Sequence, residues 1–238
     1  LEQGQTMVTR ETGPHQQHRW PQAFVRLSWS YFHDRQTSDP LRAAVFAGFM
    51  LLGRSCGAWA GYFSRVVIDP GHGGDDRGGR TGKDYEKHLA LDTAMRLEHY
   101  LVAKGYRVTM TRKSDTFISL SKRAAMGNRF KGAIFVSLHY NYTWRRSVSG
   151  LETYYYSKAS KPLAEAIQEG MLKRVGASDR GVKFGRYYVL RASRNPAVLV
   201  EGGFVSNSRE RSRMKTGAYR DAIARGIADG IIKYRFQR

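Results

Sequence analysis

From Ser64 onward, short runs of β-branched and aromatic residues alternate with longer segments whose apolar positions recur at helical spacing. That alternation is the pattern of an α/β domain built on a largely parallel sheet. The runs predict strands over Arg65–Asp69, Arg107–Thr111, Ala133–Leu138, Leu151–Tyr156, Tyr187–Leu190 and Ala197–Glu201. The helical periods predict helices over Glu86–Ala103, Leu120–Phe130, Lys161–Val175 and Ala218–Tyr234. In the first of these, Leu97 and Leu101 stand four apart on a face able to cover a sheet. Gly105 and Gly176 follow the first and third helices and supply the residue that tolerates a left-handed turn. No internal repeat or low-complexity tract interrupts the series.

The first 64 residues follow no such pattern. Residues 1–41 carry neither alternation nor a helical period and read as a poorly ordered N-terminal extension. Residues 42–64 read as a signal or hydrophobic segment. An apolar run, Ala43–Gly53, follows Arg42 and precedes the small-x-small sequence Ala58-Trp59-Ala60. The run is too short to cross a bilayer, which takes about 20 apolar residues, and it fits a secretory signal cleaved near Ala60. A core helix or interfacial anchor is the alternative. Lipidation at Cys56 is disfavoured by the Gly53-Arg54-Ser55 that precedes it, and no arginine pair marks a twin-arginine route. The chain begins with Leu1, which leaves its true start open.

Composition narrows the picture. The 238 residues, 41% apolar and 12% aromatic, are enough for one sizeable folded domain and argue against a disordered chain. A single cysteine excludes an internal disulfide and a multi-thiolate zinc site, so any metal must use His, Asp or Glu. The net charge is +20, of which +18 falls on residues 65–238. It points to a polyanionic partner: nucleic acid, an anionic membrane or an anionic wall polymer. Nucleic acid is disfavoured because no zinc-finger spacing, RNA-reading aromatic motif or continuous basic helix is present.

The candidate chemistry gathers where predicted strands end, the place at which open α/β sheets bind ligands. Arg65–Asp69 runs into Pro70-Gly71-His72-Gly73-Gly74, a glycine-lined turn presenting His72. Ala133–Leu138 ends at His139, and Ala197–Glu201 ends at Glu201 before Gly202-Gly203. Glu86 opens the helix after the glycine-rich loop Gly78–Gly82. His72, Glu86 and His139 form a two-histidine, one-carboxylate set suited to catalytic Zn²⁺ with a position left for water. Glu201 is left outside that set, free to accept a proton as the water attacks a carbonyl. The expected reaction is metal-assisted hydrolysis.

The segments Val67–Gly74 (VIDPGHGG), Glu86-Lys87, Val136–Asn141 (VSLHYN), Asp179–Lys183 (DRGVK), Val189–Arg191 and Pro196–Asn207 (PAVLVEGGFVSN) closely resemble the zinc-dependent N-acetylmuramoyl-L-alanine amidases of the Amidase_3 type. The likeness runs in order from about Arg65 to Tyr234. It implies a single α/β domain over residues 65–238, with a mostly parallel six-stranded sheet and helices on both faces. It also implies hydrolysis of the amide joining the lactyl group of N-acetylmuramic acid to L-alanine, with His72, Glu86 and His139 as zinc ligands and Glu201 as catalytic carboxylate. Regulated amidases of that type carry an inhibitory helix after the segment matching Ser137–Asn141. Here only Tyr142–Ser149 intervene before the next predicted strand, so an open cleft, and no need for an activator protein, are expected.

Asn141 and Arg191 are candidates for contacting substrate carbonyl or carboxylate groups. Asp69 is expected to brace its loop, Asp75 and Asp76 to be solvated, and His88 and His99 to lie on the helix surface. His15, His18 and His33 lack metal-site spacing. The resulting expectation is a monomeric, exported enzyme of the periplasm or cell envelope, with peptidoglycan as partner, Zn²⁺ as cofactor, no nucleic acid and no membrane span. The rivals are a non-catalytic basic protein that grips anionic glycan or nucleic acid, and a zinc peptidase acting on the stem peptide.

Overall fold

The computed structural model describes residues 62–236. The extension over 1–41 and nearly all of the hydrophobic segment over 42–64 lie outside the described residues. Phe63 belongs to the fold: its ring is buried and stacks between Tyr106 and Tyr234, at 5.8 and 6.2 Å.

The elements in chain order are β1 (Arg65–Pro70), β2 (Arg80–Thr81), β3 (Asp84–Tyr85), α1 (Glu86–Ala103), β4 (Val108–Met110), α2 (Leu120–Asn128), β5 (Ala133–Asn141), β6 (Leu151–Tyr155), α3 (Lys161–Val175), β7 (Asp179–Phe184), α4 (Tyr188–Arg191), β8 (Ala197–Phe204), α5 (Ser208–Met214) and α6 (Gly217–Phe236). Six strands form one sheet in the order β4-β1-β5-β8-β6-β7, and β2 and β3 pair in a small hairpin. β4, β1, β5 and β8 run parallel, β6 is antiparallel to β8, and β7 is parallel to β6. The mostly parallel six-stranded sheet expected from the sequence is therefore present, with one difference in its membership. Tyr187–Leu190 is not a strand; it enters the short helix α4, which packs Val189 and Leu190 onto the sheet. The sixth strand is β7, whose charged sequence DRGVKF sits at the sheet edge. A charged edge strand lacks the two-residue apolar alternation of a half-buried one.

Helix ends follow local chemistry. The Ser119 hydroxyl accepts the Lys122 N–H at 3.4 Å and caps α2, and Asn207 caps α5 by accepting from the Glu210 N–H at 3.1 Å. Gly105 and Gly176 both adopt positive φ after α1 and α3.

The two faces of the sheet are covered unequally, and that creates the site. On one face Val66, Ile68, Ile134, Val136 and Val198 pack under the long helices α1, α3 and α6. On the other, Val67, Phe135, Ala197 and Leu199 meet the shorter α2 and α4. From β1 the chain steps out to β4 and returns across β1 to β5, so the crevice beyond the carboxyl ends of β1 and β5 is a topological switch point. The thinly covered face stays open there.

Candidate active site

A cleft of about 390 Å³ opens at this switch point, lined by residues that include His72, Glu86, His139, Asn141, Tyr187 and Glu201. His72 follows β1, His139 lies in β5, and Glu86 is the first residue of α1. One ligand atom from each of the three lies within 4.8 Å of the others. Glu86 Oε1 is the shared point, 3.1 Å from His72 Nε2 and 2.7 Å from His139 Nδ1. The two imidazole rings stand edge to face, their centres 4.8 Å apart.

Two glycines make room for this cluster. A Cβ on Gly71 would lie 2.3 Å from His139 Cε1, and one on Gly78 would lie 2.6 Å from both Glu86 Oε2 and His72 Cδ2. His72 itself has φ of 58°, a left-handed conformation unusual outside glycine. The loop is held there by two buried arginines. Arg123 donates to the carbonyls of Pro70 and His72, both at 2.6 Å, and Arg112 donates to those of Pro70 and Gly71, at 3.0 and 2.7 Å. These loop carbonyls leave the sheet without strand partners, and buried backbone oxygens need donors. Asp69, braced as expected, pairs with Arg123 at 2.8 Å and accepts from Thr111 and Ser137.

Glu86 is tied on both oxygens: Oε2 accepts the Gly79 N–H at 2.7 Å, and Oε1 accepts the Tyr140 N–H at 3.1 Å. Burial opposes its ionisation, but hydrogen bonds from His139 and His72 outweigh it and hold the carboxyl far below the usual range. Burial also works against a charged His72, yet Glu86 and Asp76 prevail and raise its pKa. Asp76, expected to be merely solvated, is instead 2.9 Å from His72 Nδ1, where it turns Nε2 toward the cluster. Asp75, His88 and His99 stay outside the cluster.

Glu201 lies beside His139 in the β5–β8 register, on the same sheet face, and beside Glu152 in the β6–β8 register. It is buried, and its Oε2 has no hydrogen-bond partner. Burial, then the charges of Glu86 and Glu152, push its pKa well above the ordinary 4.5. A buried carboxylate oxygen, Glu86 Oε1, within hydrogen-bond distance of two imidazoles is a donor set that a bound cation would satisfy. The nitrogen and oxygen donors suit a borderline divalent ion such as Zn²⁺.

The two substrate candidates separate. Asn141 lines the cleft and donates to Glu152 Oε2 at 3.3 Å. Arg191 is exposed at the end of α4 with its guanidinium over Tyr188, and it does not line the cleft.

The chain matches the N-acetylmuramoyl-L-alanine amidase family model over residues 66–233. It belongs to that family. It is 39% identical over 173 residues to the N-acetylmuramoyl-L-alanine amidase LytC of Bacillus subtilis, a match covering 71% of this chain and 35% of LytC. The chain thus spans about a third of that relative's length. Among solved structures, an N-acetylmuramoyl-L-alanine amidase from Clostridium difficile 630 superposes with a TM-score of 0.70 at 37% identity, covering 73% of this chain and 97% of that one. The CwlD amidase from Clostridioides difficile, solved in complex with the GerS lipoprotein, superposes at 0.69 with 29% identity, covering 72% and 98%.

Proposed function

We propose that this member of the amidase family is an exported zinc hydrolase that cuts the amide between the lactyl group of N-acetylmuramic acid and L-alanine in peptidoglycan. One observation carries the reading: three metal-type donors meet at one point, with a buried, unpartnered acid one strand away. His72, Glu86 and His139 would hold the ion, oriented by Asp76, the Gly79 N–H and the Tyr140 N–H. Bound there, zinc supplies Lewis-acid polarisation of the scissile carbonyl and acidifies a water. Glu201 takes the proton from the attacking water and returns it to the L-alanine nitrogen as the carbon–nitrogen bond breaks.

Residues 142–150 join β5 to β6 directly, with no helix between them. This supports an open cleft and activity without an activator. No helix among the described residues is long and apolar enough to cross a membrane. Export to the cell envelope rests on the wall substrate and on the segment over 42–64.

The test is digestion of purified sacculi by the wild type and Glu201→Ala, with mass spectrometry of the released material and zinc analysis of each protein. Stem peptides beginning at L-alanine are expected from the wild type alone. Glu201→Ala retains zinc, and His139→Ala loses it. Shortened muropeptides would establish a stem peptidase instead, and a protein that binds sacculi unchanged by chelation while releasing nothing would be a non-catalytic binder.

A further inference from the structure

Beyond the cleft, a second groove of about 420 Å³ is lined by Asn141, Trp144, Arg145, Arg180, Lys183 and Phe204, among others. Asn141 borders both, so the two are neighbours. Their characters are opposite. The cleft carries the apolar Phe117, Ile118 and Leu120, while its Tyr187 meets Tyr154 of the groove at 5.0 Å between ring centres. The groove is cationic, and its floor is a buried carboxylate, Glu152, that accepts from Arg180 Nε, from Lys183 Nζ at 2.7 Å and from the Tyr154 hydroxyl at 2.6 Å. Two cations on one carboxylate leave a surplus positive charge.

The donors are also underused. Arg180 spends only Nε on Glu152, and neither Nη1 nor Nη2 has a protein acceptor among the described residues. Its guanidinium is fixed from below by Glu152 and lies over the Phe204 ring, 5.3 Å from the centroid. Lys183 spends one of three N–H groups, on the same Glu152 oxygen. A guanidinium held through Nε with its terminal fork free is arranged for bidentate capture of a carboxylate.

From this we infer that Arg180 and Lys183 form a subsite for a carboxylate carried by the peptide on the nitrogen side of the scissile amide. The inference rests on the amidase reading above. In such a substrate the lactyl carboxyl is consumed in the amide, which leaves the sugar half uncharged and any anionic group on the peptide half. The uncharged half then belongs against the apolar residues of the cleft, and the anionic half in the cationic groove. Substrate orientation in the cleft is thereby set. Glu152 is a positioning residue in this scheme, because it touches the cations and not the substrate.

The experiment uses two soluble muramoyl-peptides, one with a free carboxylate on the residue after L-alanine and one with a primary amide in its place. Both are given to the zinc-loaded wild type and to Arg180→Gln and Lys183→Gln. The wild type is expected to prefer the free acid in kcat/KM by roughly ten- to hundredfold, the range of a charge-assisted hydrogen bond, with the difference in KM. Each variant shrinks that ratio toward one. The ratio within each protein is independent of its folded fraction, so a poorly folding variant still reports. Equal use of both substrates by the wild type, or variants that keep the preference, would overturn the subsite and leave the amidase reading standing. Variants that keep the preference but lose retention on phosphate-bearing walls would assign the pair to a wall polymer instead. A wild type that cleaves neither substrate overturns the amidase reading, and the subsite with it.

Discussion

Replacing Gly71 with alanine tests whether His139 is placed by backbone geometry. Gly71 is not in a left-handed conformation, so alanine costs nothing in φ and acts only through space. Its Cβ would sit 2.3 Å from His139 Cε1, 2.5 Å from Nε2 and 2.6 Å from Nδ1. Carbon atoms in ordinary contact are about 3.5–4.0 Å apart, so the ring must retreat by roughly 1 Å. It can, because the His139 side chain is 18% exposed and the cleft is open beside it. A displacement of that size costs on the order of a hundredfold in a positioned reaction, whereas overpacking of this kind costs about 1–3 kcal/mol in stability. Gly71→Ala is therefore expected to fold, to melt about 2–12 °C lower, and to lose about two orders of magnitude in sacculus digestion together with much of its zinc. Gly82→Ala is the control. There φ is +64° and an added Cβ meets nothing within 4 Å, so about 1 kcal/mol of backbone strain is expected with zinc content unchanged. Elemental analysis, digestion rate and thermal melts of both variants decide the matter. A Gly71→Ala enzyme with full zinc and full rate would refute the claim that this missing side chain is what seats the histidine.

Asp76→Asn should weaken zinc binding and activity by about ten- to a hundredfold by loosening His72, with little change in stability because Asp76 is exposed; metal titration alongside a melt separates the two. Arg123→Met should cost about 3–5 kcal/mol in denaturant unfolding, because it leaves Asp69 buried without its cation and strips donors from the Pro70 and His72 carbonyls. For Glu152, burial opposes ionisation, but Lys183, Tyr154 and Arg180 prevail and depress the carboxyl below its ordinary 4.5. Its contribution to stability is thus present above about pH 4.5 and is lost as pH falls through the depressed folded-state value. Glu152→Gln should lower stability by about 2 kcal/mol at neutral pH and flatten the acid side of the stability profile below pH 4.5; an unchanged acid limb would contradict the assignment.

Much of the scaffold was legible because long periodic segments carry their own signal. Glu86–Ala103 and Lys161–Val175 begin and end where the sequence places them. Tyr187–Leu190 misled because four residues rich in apolar and aromatic side chains cannot distinguish a strand from one helical turn, and only packing against the sheet decides. The edge strand Asp179–Phe184 was missed as secondary structure because its charges serve neighbours, Arg180 and Lys183 holding Glu152 and Asp179 accepting from Gln168. In the site, His72, His139, Glu86 and Glu201 stood out through their glycine-rich surroundings and places at element ends. Arg112 and Arg123 did not, since their partners are loop carbonyls 41 to 53 residues away in sequence. Asp76 had a local signal, four residues beyond His72 within a tight loop, and its exposure concealed it.

His139, Glu201 and Glu152 occupy one row across three neighbouring strands, and the sheet acts as a ruler for them. Adjacent strands are held about 4.8 Å apart by their backbone hydrogen bonds, so the gap between the His139 imidazole and the Glu201 carboxyl is fixed by the framework. Rebuilding the connections that border the cleft should then alter which wall fragments are accepted while leaving the bond-breaking step intact. For an engineer, selectivity and chemistry in this protein are separately adjustable.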